Sequence, residues 1–326
     1  MLILVTGATG KVGRHLISTL LDRPRFSQAR LRALCHNRVL DPTQRLSTIH
    51  GSIADRAVAE AAISDVSHVV HLATCKETPD DVMDVTVKGL FWLLEAFRAS
   101  PTARQFILIG GDAAVGHFFY PHDGPITEAT PHRAYPGCYA LSKVLEEVIV
   151  EQYAIQYGMN LCCLRAPWIM EKDDFKYSLS FGDDVFGGPD WKTFFPPDEA
   201  RRHAVAGTVP LLRDVDRRPL KRNFIHVSDL VSAILSAIDN PRAAGQRFNI
   251  AMNRPVDYGE VASYLKRTRG LPSVDVPSHF HSNWLDNSKA RYLLDWQPEY
   301  DLEKLIDQAW QYERPPSDPR IVWYPG

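Results

Sequence analysis

The chain opens with a short apolar segment that leads directly into a glycine-rich turn. Leu2–Thr6 has the aliphatic composition of a buried strand, and the sequence GATGKVG follows it, ahead of an amphipathic stretch. Gly7 would permit a tight turn, Gly10 would let the backbone approach a bound group, and Gly13 would let the next helix pack closely on the strand. The N–H groups and dipole of that helix would then attract a phosphate. This unit predicts a dinucleotide site, whose cofactor-binding residues are Gly7, Thr9, Gly10, Lys11, Val12 and Gly13.

The alternation of strand and helix continues through the first half of the chain. Strands are predicted at Leu2–Thr6, Leu31–Cys35, His68–Leu72, Gln105–Ile109 and Asn160–Leu164. Helices are predicted between them at Val12–Leu21, Ala57–Ile63, Val82–Ala99 and Tyr139–Tyr157. Such alternation is typical of a parallel sheet with crossover helices. We therefore predict an α/β fold built on a doubly wound parallel sheet of the Rossmann type.

After Pro167 the pattern becomes irregular. Further elements are predicted as strands at Asn223–Val227 and Arg247–Ala251, and as helices at Ser228–Ile238 (capped by Ser228 and Asp229), Tyr258–Lys266 and Leu302–Tyr312. The segment from 222 to 253 resumes the earlier alternation. We predict a dinucleotide-binding domain of residues 1–170 and 222–253, and a smaller, discontinuous C-terminal substrate region of residues 171–221 and 254–326.

Composition excludes several classes of protein. The net charge of −2 over 326 residues gives no electrostatic reason to expect a nucleic-acid partner. No apolar run approaches the ~20 residues of a membrane span, and no signal peptide is visible, so we expect a cytoplasmic protein. The five cysteines include no C-x-x-C pair and are expected to be reduced. His203 and His226 lack partners at metal-ligand spacing, so no metal site is expected.

A second motif places a phenol and an ammonium on one face of a helix. Tyr139 and Lys143 are four residues apart, and residues at this spacing are neighbours on a helix. An ammonium ~4 Å from a phenolate stabilises it by about 4 kcal/mol at an effective dielectric constant of ~20. A phenol activated in this way exchanges protons with a substrate hydroxyl. Tyr139 and Lys143 are therefore the candidate catalytic residues.

The order of these motifs resembles the extended short-chain dehydrogenase/reductase superfamily, and within it the NAD-dependent epimerase/dehydratase family. The T-G-x-x-G-x-x-G spacing and the Tyr139–Lys143 pair are two of the matches. Others are VVHLAT at Val69–Thr74, a helix at Val85–Ala96 with Thr86 where Asn is common, PITE at Pro125–Glu128, LRAP at Leu164–Pro167, RNFIHVSDLV at Arg222–Val231 and DNSKARYLLDWQPEYDLEKLI at Asp286–Ile306. Together they cover nearly the whole chain.

The resemblance implies a nicotinamide dinucleotide on the sheet and a substrate held between the sheet and the small C-terminal region. It also implies that Tyr139 is the acid/base and that Lys143 holds the ribose and tunes the tyrosine. Further cofactor contacts would come from Leu72, Ala73, Thr74, Ala166 and Pro167, and substrate contacts from Thr74, Asp112, Trp168 and Arg222. Many relatives dimerise through the helices that match Val82–Ala99 and Tyr139–Tyr157, so a homodimer is expected.

One position departs from the family pattern. Where the family has Ser or Thr, three residues before Val115, this chain has Asp112. An ionised Asp112 would oppose a phenolate on Tyr139, whereas a protonated Asp112 would donate a hydrogen bond to the substrate oxygen. In a third alternative Asp112 caps a loop, and Thr74 or substrate hydroxyls orient the reacting group. The residues leave all three alternatives open.

The same segment disfavours one reaction of the family. Sugar-nucleotide 4,6-dehydratases resemble T-D-E at this place and use the two acids for elimination. This chain has Asp112, Ala113 and Ala114 there, so the paired acids are missing.

The cofactor-choice positions are also unusual. An acid ending the second strand would bind the 2′-hydroxyl of NAD and repel a 2′-phosphate. The chain offers His36 and Arg38 instead, which favours NADP and leaves NAD open. The later G-D segment of the family is replaced by Gly51, Ser52 and Ile53, so its adenine-contacting acid is absent as well.

Substrate clues are fewer. An aromatic-rich insert comprises Trp168, Phe175, Tyr177, Phe181, Phe186, Trp191, Phe194 and Phe195, which either pack the core or stack on a substrate ring. The sequence favours an NAD(P)-dependent dehydrogenase or epimerase acting on a secondary hydroxyl of a sugar, sugar acid or nucleotide sugar. The first alternative is a reductase of a small carbonyl compound. The second is a cofactor-binding regulator without catalysis.

Overall fold

A seven-stranded parallel sheet lies at the centre of the protein, and the computed structural model describes residues 1–182 and 189–318 of the chain. The strands are β1 (Leu2–Thr6), β2 (Arg30–Cys35), β3 (Leu46–His50), β4 (His68–His71), β5 (Gln105–Gly111), β6 (Leu161–Ala166), β7 (Trp168–Met170), β8 (Val209–Arg213), β9 (Lys221–Arg222), β10 (Phe224–His226), β11 (Arg247–Asn249), β12 (Val256–Asp257) and β13 (Ser273–Pro277). The sheet has the order β11-β6-β5-β4-β1-β2-β3. This order reverses direction at β1, as in doubly wound dinucleotide-binding folds, so the predicted fold class is confirmed.

Helices cover both faces of this sheet. They are α1 (Lys11–Asp22), α2 (Arg56–Ile63), α3 (Pro79–Val82), α4 (Gly89–Ala99), α5 (Cys138–Tyr157), α6 (Asp174–Ser178), α7 (Pro197–Ala206), α8 (Val227–Ala237), α9 (Tyr258–Arg269), α10 (Ser288–Leu293) and α11 (Leu302–Gln311). α1 and α8 pack on one face and bury aliphatic side chains such as Leu16 and Ile234. α2, α4 and α5 pack on the other face around Leu90 and Phe106. Burial on both faces explains the near-continuous apolar runs of the inner strands.

Two expectations about the first half were wrong in detail. β3 was not predicted, because this edge strand buries only Leu46 and otherwise alternates polar and half-exposed residues. The single helix predicted at Val82–Ala99 is instead α3, a π-helical turn at Met83–Lys88, and α4. A π-helical turn changes the hydrogen-bond register without interrupting the apolar pattern, so periodicity does not reveal it.

The start of α8 also differs from the prediction. Ser228 and Asp229 were expected to cap this helix, but the N-cap is His226, whose Nδ1 accepts from the backbone N–H of Ser228. Asp229 lies within the first turn, where its carboxylate accepts from the backbone N–H groups of Glu299 and Tyr300. The carboxylate therefore fixes the segment before α11 to α8.

The remaining elements form a smaller region with its own apolar core. β8 pairs with β13, β9 with β12, and β7 with β10. Their side chains, with those of α9 and α11, enclose a core that includes Phe175, Phe224 and Leu265. β11 returns from this part of the chain to the sheet edge beside β6. The domain boundaries stay a prediction.

Two further findings concern the surface and the cysteines. Within the described residues no helix is long and apolar enough to cross a membrane. Cys35, Cys75, Cys138, Cys162 and Cys163 are all free thiols. Exposed apolar side chains on α4 and α5 include Phe91, Leu141, Ile155 and Tyr157. Dimerisation through these two helices remains a prediction.

Candidate active site

The glycine turn between β1 and α1 has the geometry of a phosphate cradle. Gly7 has a left-handed φ of 61°, and a Cβ at this residue would lie 2.9 Å from the backbone nitrogen of Ala73. A Cβ at Gly13 would lie 2.4 Å from the carbonyl oxygen of Gly7, so α1 packs against the turn only if this residue is glycine. Gly10 is the N-cap of α1, and no side chain caps its N–H groups. These residues therefore fit the diphosphate of a dinucleotide.

Lys11, in contrast, contacts residues of β7 and α6, outside the glycine turn. Its ammonium contacts the carboxylate of Asp174 in α6, and it donates to the carbonyl of Ile169 over 2.9 Å. The side chain of Asp174 is only 4% exposed. Lys11, which was predicted to bind the cofactor, thus links the glycine turn to the segment that follows β7.

A buried hydroxyl fixes the loop after β4. The Thr6 hydroxyl accepts from the backbone N–H groups of Leu72 and Ala73, each over 3.1 Å, and lies 2.8 Å from Nδ1 of His71. Because the hydroxyl accepts twice, its own proton points to Nδ1, and the His71 proton is on Nε2. Burial, together with the charge of Lys143, lowers the pKa of His71 to about 3. His71 is therefore neutral at physiological pH.

One cavity of about 620 Å³ runs from the glycine turn to the aromatic residues of the C-terminal region. It brings together every site residue predicted from the sequence. These are Gly7, Thr9, Gly10, Lys11, Val12, Gly13, His36, Arg38, Ser52, Ile53, Leu72, Ala73, Thr74, Asp112, Tyr139, Lys143, Ala166, Pro167, Trp168 and Arg222. Their shared position supports the predicted site, while their individual roles remain proposals.

Charge is unevenly distributed around this cavity. Asp112 is the one carboxylate among its described lining residues. At the end of β2 the lining residues are His36 and Arg38, and both side chains are exposed. Across from them lie Ser52 and the buried Ile53. That end of the cavity therefore carries positive or neutral groups, as the sequence predicted.

Tyr139 lies at the start of α5 with two ammonium groups near its ring. Nζ of Lys76 is 4.4 Å from the centre of the phenol ring, and Nζ of Lys143 is 5.6 Å from it. Glu77 accepts from the backbone N–H groups of Cys138 and Tyr139 over 2.9 and 3.1 Å, and so anchors the first turn of the helix. A methyl group at Gly111 would lie 3.6 Å from the tyrosine hydroxyl. The hydroxyl therefore approaches the end of β5 where a side chain is missing.

Asp112 belongs to a buried chain of three polar side chains. Its Oδ2 lies 2.7 Å from Nδ1 of His117, and Nη2 of Arg222 donates to Nε2 of that imidazole over 3.3 Å. A guanidinium only donates, so Nε2 is the acceptor and the imidazole proton is on Nδ1, facing Asp112. Burial also lowers the pKa of His117, which keeps the ring neutral. Oδ2 of Asp112 therefore faces the Nδ1 proton of His117, while the alternatives for the role of Asp112 stay predictions.

The backbone at His117 supports the same arrangement. Gly116 has a φ of 81° and His117 a φ of 51°, so two consecutive residues adopt the left-handed region. This conformation costs free energy in a residue with a side chain, although histidine tolerates it better than most residues. It turns the imidazole back onto Asp112.

Aromatic side chains form the far wall of the cavity. Phe118, Phe119, Tyr135, Trp168, Trp191, Tyr258 and Phe280 all line it. The guanidinium of Arg222 lies 4.1 Å from the ring of Trp168 and 4.5 Å from that of Phe118. Of the aromatic insert predicted from the sequence, Trp168 and Trp191 line the cavity and Phe175 and Phe181 are buried in the core, whereas Phe186 lies outside the described residues.

Several site residues were missed by sequence reasoning. Lys76 and Glu77 follow the VVHLAT motif closely, so their proximity to Thr74 was a usable signal. His117 gave no signal, because its role depends on the left-handed turn at Gly116. Within the described residues no group of three or more His, Cys, Asp or Glu side chains could hold a metal ion.

The fold and the glycine turn define a dinucleotide-binding protein of the short-chain dehydrogenase/reductase type. Residues 3–170 match the model of the "NAD dependent epimerase/dehydratase family", and the chain belongs to this family. The description covers both epimerases and dehydratases, so membership does not choose between the two reactions.

Individual relatives are distant. A UDP-glucose 4-epimerase of Streptococcus mutans is 25% identical, and the match covers 96% of this chain and 96% of the other. A dihydroflavonol 4-reductase of Zea mays is 24% identical over 85% of this chain and 76% of the other. Among solved structures, a superfamily protein from Agrobacterium tumefaciens with bound NAD has a TM-score of 0.77 at 25% identity, covering 95% of this chain and 96% of that one. The comparisons thus identify the family, whereas relatives at this identity do not identify the substrate of this protein.

Proposed function

We propose that the protein is an NAD(P)-dependent dehydrogenase or epimerase that acts on a secondary hydroxyl of a sugar, sugar acid or nucleotide sugar. One observation carries this proposal. Tyr139, Lys143 and the glycine turn line the same cavity, so a proton-transfer group lies beside a dinucleotide cradle. A bound nicotinamide would supply the hydride acceptor or donor.

The residues of the chain would provide the proton chemistry. Tyr139 accepts the proton of the substrate hydroxyl during oxidation and returns it during reduction. The ammonium groups of Lys143 and Lys76 stabilise the phenolate form of Tyr139, which accepts this proton and is formed again when the proton is returned. Walls of aromatic and aliphatic side chains exclude water, which strengthens these electrostatic interactions.

Asp112 supports a substrate that carries hydroxyl groups. A carboxylate accepts several hydrogen bonds, so the contact between Oδ2 and His117 leaves capacity for a substrate hydroxyl. The same carboxylate, when ionised, would repel a carbonyl oxygen, including the one formed at the reacting carbon, so it would bind a substrate hydroxyl other than the reacting one. A polyol or sugar therefore suits this position better than a substrate with a carbonyl group alone.

The nucleotide part and the cofactor choice belong to the same proposal. The epimerase relative in Streptococcus mutans is named for a nucleotide sugar. Arg222 lines the substrate side of the cavity and would meet an anionic group there. The preference for NADP stays a prediction based on His36 and Arg38, since the Agrobacterium relative was solved with NAD.

A reductase of an aromatic carbonyl compound is a second candidate. The stacked pair of Phe119 and Tyr135, with ring centres 4.5 Å apart, belongs to an aromatic wall that would accept a flat ring. The dihydroflavonol 4-reductase relative in maize acts on a substrate of that kind by its name. Asp112 weighs against this candidate for the reason given above.

A cofactor-reduction screen tests the proposal. Sugars, sugar acids and nucleotide sugars would be offered with NAD and with NADP, and aromatic ketones with the reduced cofactors. We expect turnover with a hydroxylated substrate and its loss in Tyr139→Phe. Net release of reduced cofactor identifies a dehydrogenase, whereas product without net release identifies an epimerase.

The same screen separates the remaining alternatives. Turnover of aromatic ketones alone would favour the second candidate. Cofactor binding without turnover of any substrate, unaffected by Tyr139→Phe, would contradict catalysis and favour a regulator.

A further inference from the structure

A buried carboxylate contacts the lysine of the catalytic pair. Oε2 of Glu146 lies 2.7 Å from Nζ of Lys143, and their side chains are only 1% and 4% exposed. Tyr139, Lys143 and Glu146 follow one another at spacings of four and three residues, so they lie on one face of α5. The sequence analysis did not single out Glu146, and the proposed mechanism does not use it.

The neighbouring Glu147 shows how unusual this environment is. Its carboxylate contacts Arg165, Arg247 and His132, and it belongs to a network that joins α5 to β6 and β11. Glu146 lies one residue earlier and is also fully buried, but the cation that acts on it is Lys143. A buried carboxylate with one counter-charge is costly to keep, so a structural role explains it poorly.

The other groups around Lys143 are uncharged at neutral pH. His71 on β4 is neutral, because burial and Lys143 lower its pKa to about 3. Burial also raises the pKa of the Cys163 thiol on β6 well above its usual value. On α5 itself Lys143 is faced by Tyr139 and Glu146. Above its pKa of about 7, Glu146 is therefore the anion that balances the ammonium before Tyr139 ionises.

The pKa of Glu146 lies near neutral pH. Burial and the neighbouring Glu147 carboxylate raise the pKa of Glu146 to about 7, although Lys143 acts in the opposite direction. Burial also opposes the charge of Lys143, but Glu146, Tyr139 and Cys163 together outweigh burial, and the pKa of Lys143 is raised. The two groups thus stabilise each other's charged form inside the protein.

We infer that Glu146 is a positioning residue that holds the Lys143 ammonium in place and offsets its charge, and so sets the pH at which the Tyr139–Lys143 pair loses its first proton. This inference rests on the proposed function only in assigning that proton loss to catalysis. Removal of the carboxylate makes the local charge more positive. Proton loss from the pair then becomes easier, whichever of the two residues loses the proton.

The test compares pH–rate profiles of alcohol oxidation for the full-length protein and three variants. In Glu146→Gln we expect the midpoint of the rising limb to move to lower pH by about one unit or more, as expected for loss of a charge within ~4–6 Å. Glu146→Asp retains the charge, so the midpoint of its rising limb should lie close to the wild-type value. Glu151→Gln is the matched control, because this residue is on the same helix but its side chain is 53% exposed.

A second readout requires no substrate. The phenolate absorbance of Tyr139 is isolated by subtracting the ultraviolet pH titration of the matching Tyr139→Phe protein, and Glu146→Gln should move its onset to lower pH. Unchanged profiles and titrations in Glu146→Gln would overturn the inference, as would an equal shift in Glu146→Asp. Failure of the proposed function would instead appear as full activity of Tyr139→Phe, which leaves the titration interpretable.

Discussion

At the scale of single residues, the site is defined by which polar groups are held together below the surface. Asp112 and His117 are five residues apart, yet their contact depends on two consecutive left-handed residues. Glu146 and Glu147 are adjacent and chemically identical, but one faces Lys143 and the other faces Arg165. Sequence pattern identifies such residues as candidates, whereas their roles follow from partners that lie far along the chain.

Substitution of Asp112 by Asn tests the contact with substrate. The variant removes a charged acceptor while keeping the shape, and hydrogen bonds to charged groups contribute about 1.5–3 kcal/mol. We therefore expect kcat/KM to fall roughly 10- to 100-fold and the pH–rate profile to change. Asp123→Asn, at an exposed residue of the same segment, should behave as wild type. An unchanged profile in Asp112→Asn would show that this carboxylate does not touch the substrate.

At the scale of secondary-structure elements, β1 and α1 were predicted almost to the residue. The apolar run of β1 and the glycine spacing are local signals, and tertiary contacts agree with them. The π-helical turn before α4 was not predictable from periodicity. Its Thr86 hydroxyl accepts a hydrogen bond from the backbone N–H of Cys75, a contact that the sequence pattern does not reveal. The contact between Lys11 and Asp174 was equally hidden, since it joins elements 163 residues apart.

Substitution of Gly13 by Ala tests the packing of α1 on the glycine turn. The new Cβ would meet the Gly7 carbonyl oxygen at 2.4 Å and the Ala8 Cα at 2.7 Å, and backbone atoms cannot rotate away. We expect dinucleotide binding to be lost and the protein to be destabilised by about 1–3 kcal/mol. Gly124→Ala is the control, because a Cβ there meets nothing within 4 Å. Cofactor fluorescence titration and thermal unfolding measure both effects, and wild-type binding by Gly13→Ala would refute the assigned role.

At the scale of the whole molecule, a buried ionic network joins parts of the chain that are distant in sequence. Arg165 at the end of β6 is fully buried and donates to both oxygens of Glu147 in α5 and to Asn249 at the end of β11. Arg247 contacts the same carboxylate over 2.9 Å. The LRAP motif thus carries the arginine of this network as well as residues that line the cavity.

Substitution of Glu147 by Gln should destabilise the protein by about 3–5 kcal/mol at pH 7, because Arg165 would remain buried without its counter-charge. Burial opposes the charge of Glu147, but His132 and Arg165 outweigh it and lower the pKa to about 2. A lowered carboxyl pKa gives stability that is present above the unfolded value of about 4.5 and is lost as pH falls towards 2. The difference in unfolding free energy between wild type and Glu147→Gln should therefore become smaller as pH falls over this range.

Urea unfolding at pH 7 and below pH 4 measures this difference, with Glu151→Gln as the control on the same helix. Equal stability of Glu147→Gln and wild type at pH 7 would show that the network contributes nothing net.

The late return of β11 to the sheet has a consequence for how the protein matures. The chain leaves the sheet at Ala166 and comes back only at Arg247, so the edge beside β6 stays uncovered until residues 167–246 have been synthesised. Until then Arg165 also lacks its Asn249 partner. The cofactor part of the protein therefore cannot complete its sheet until the substrate segment 171–221 has been synthesised.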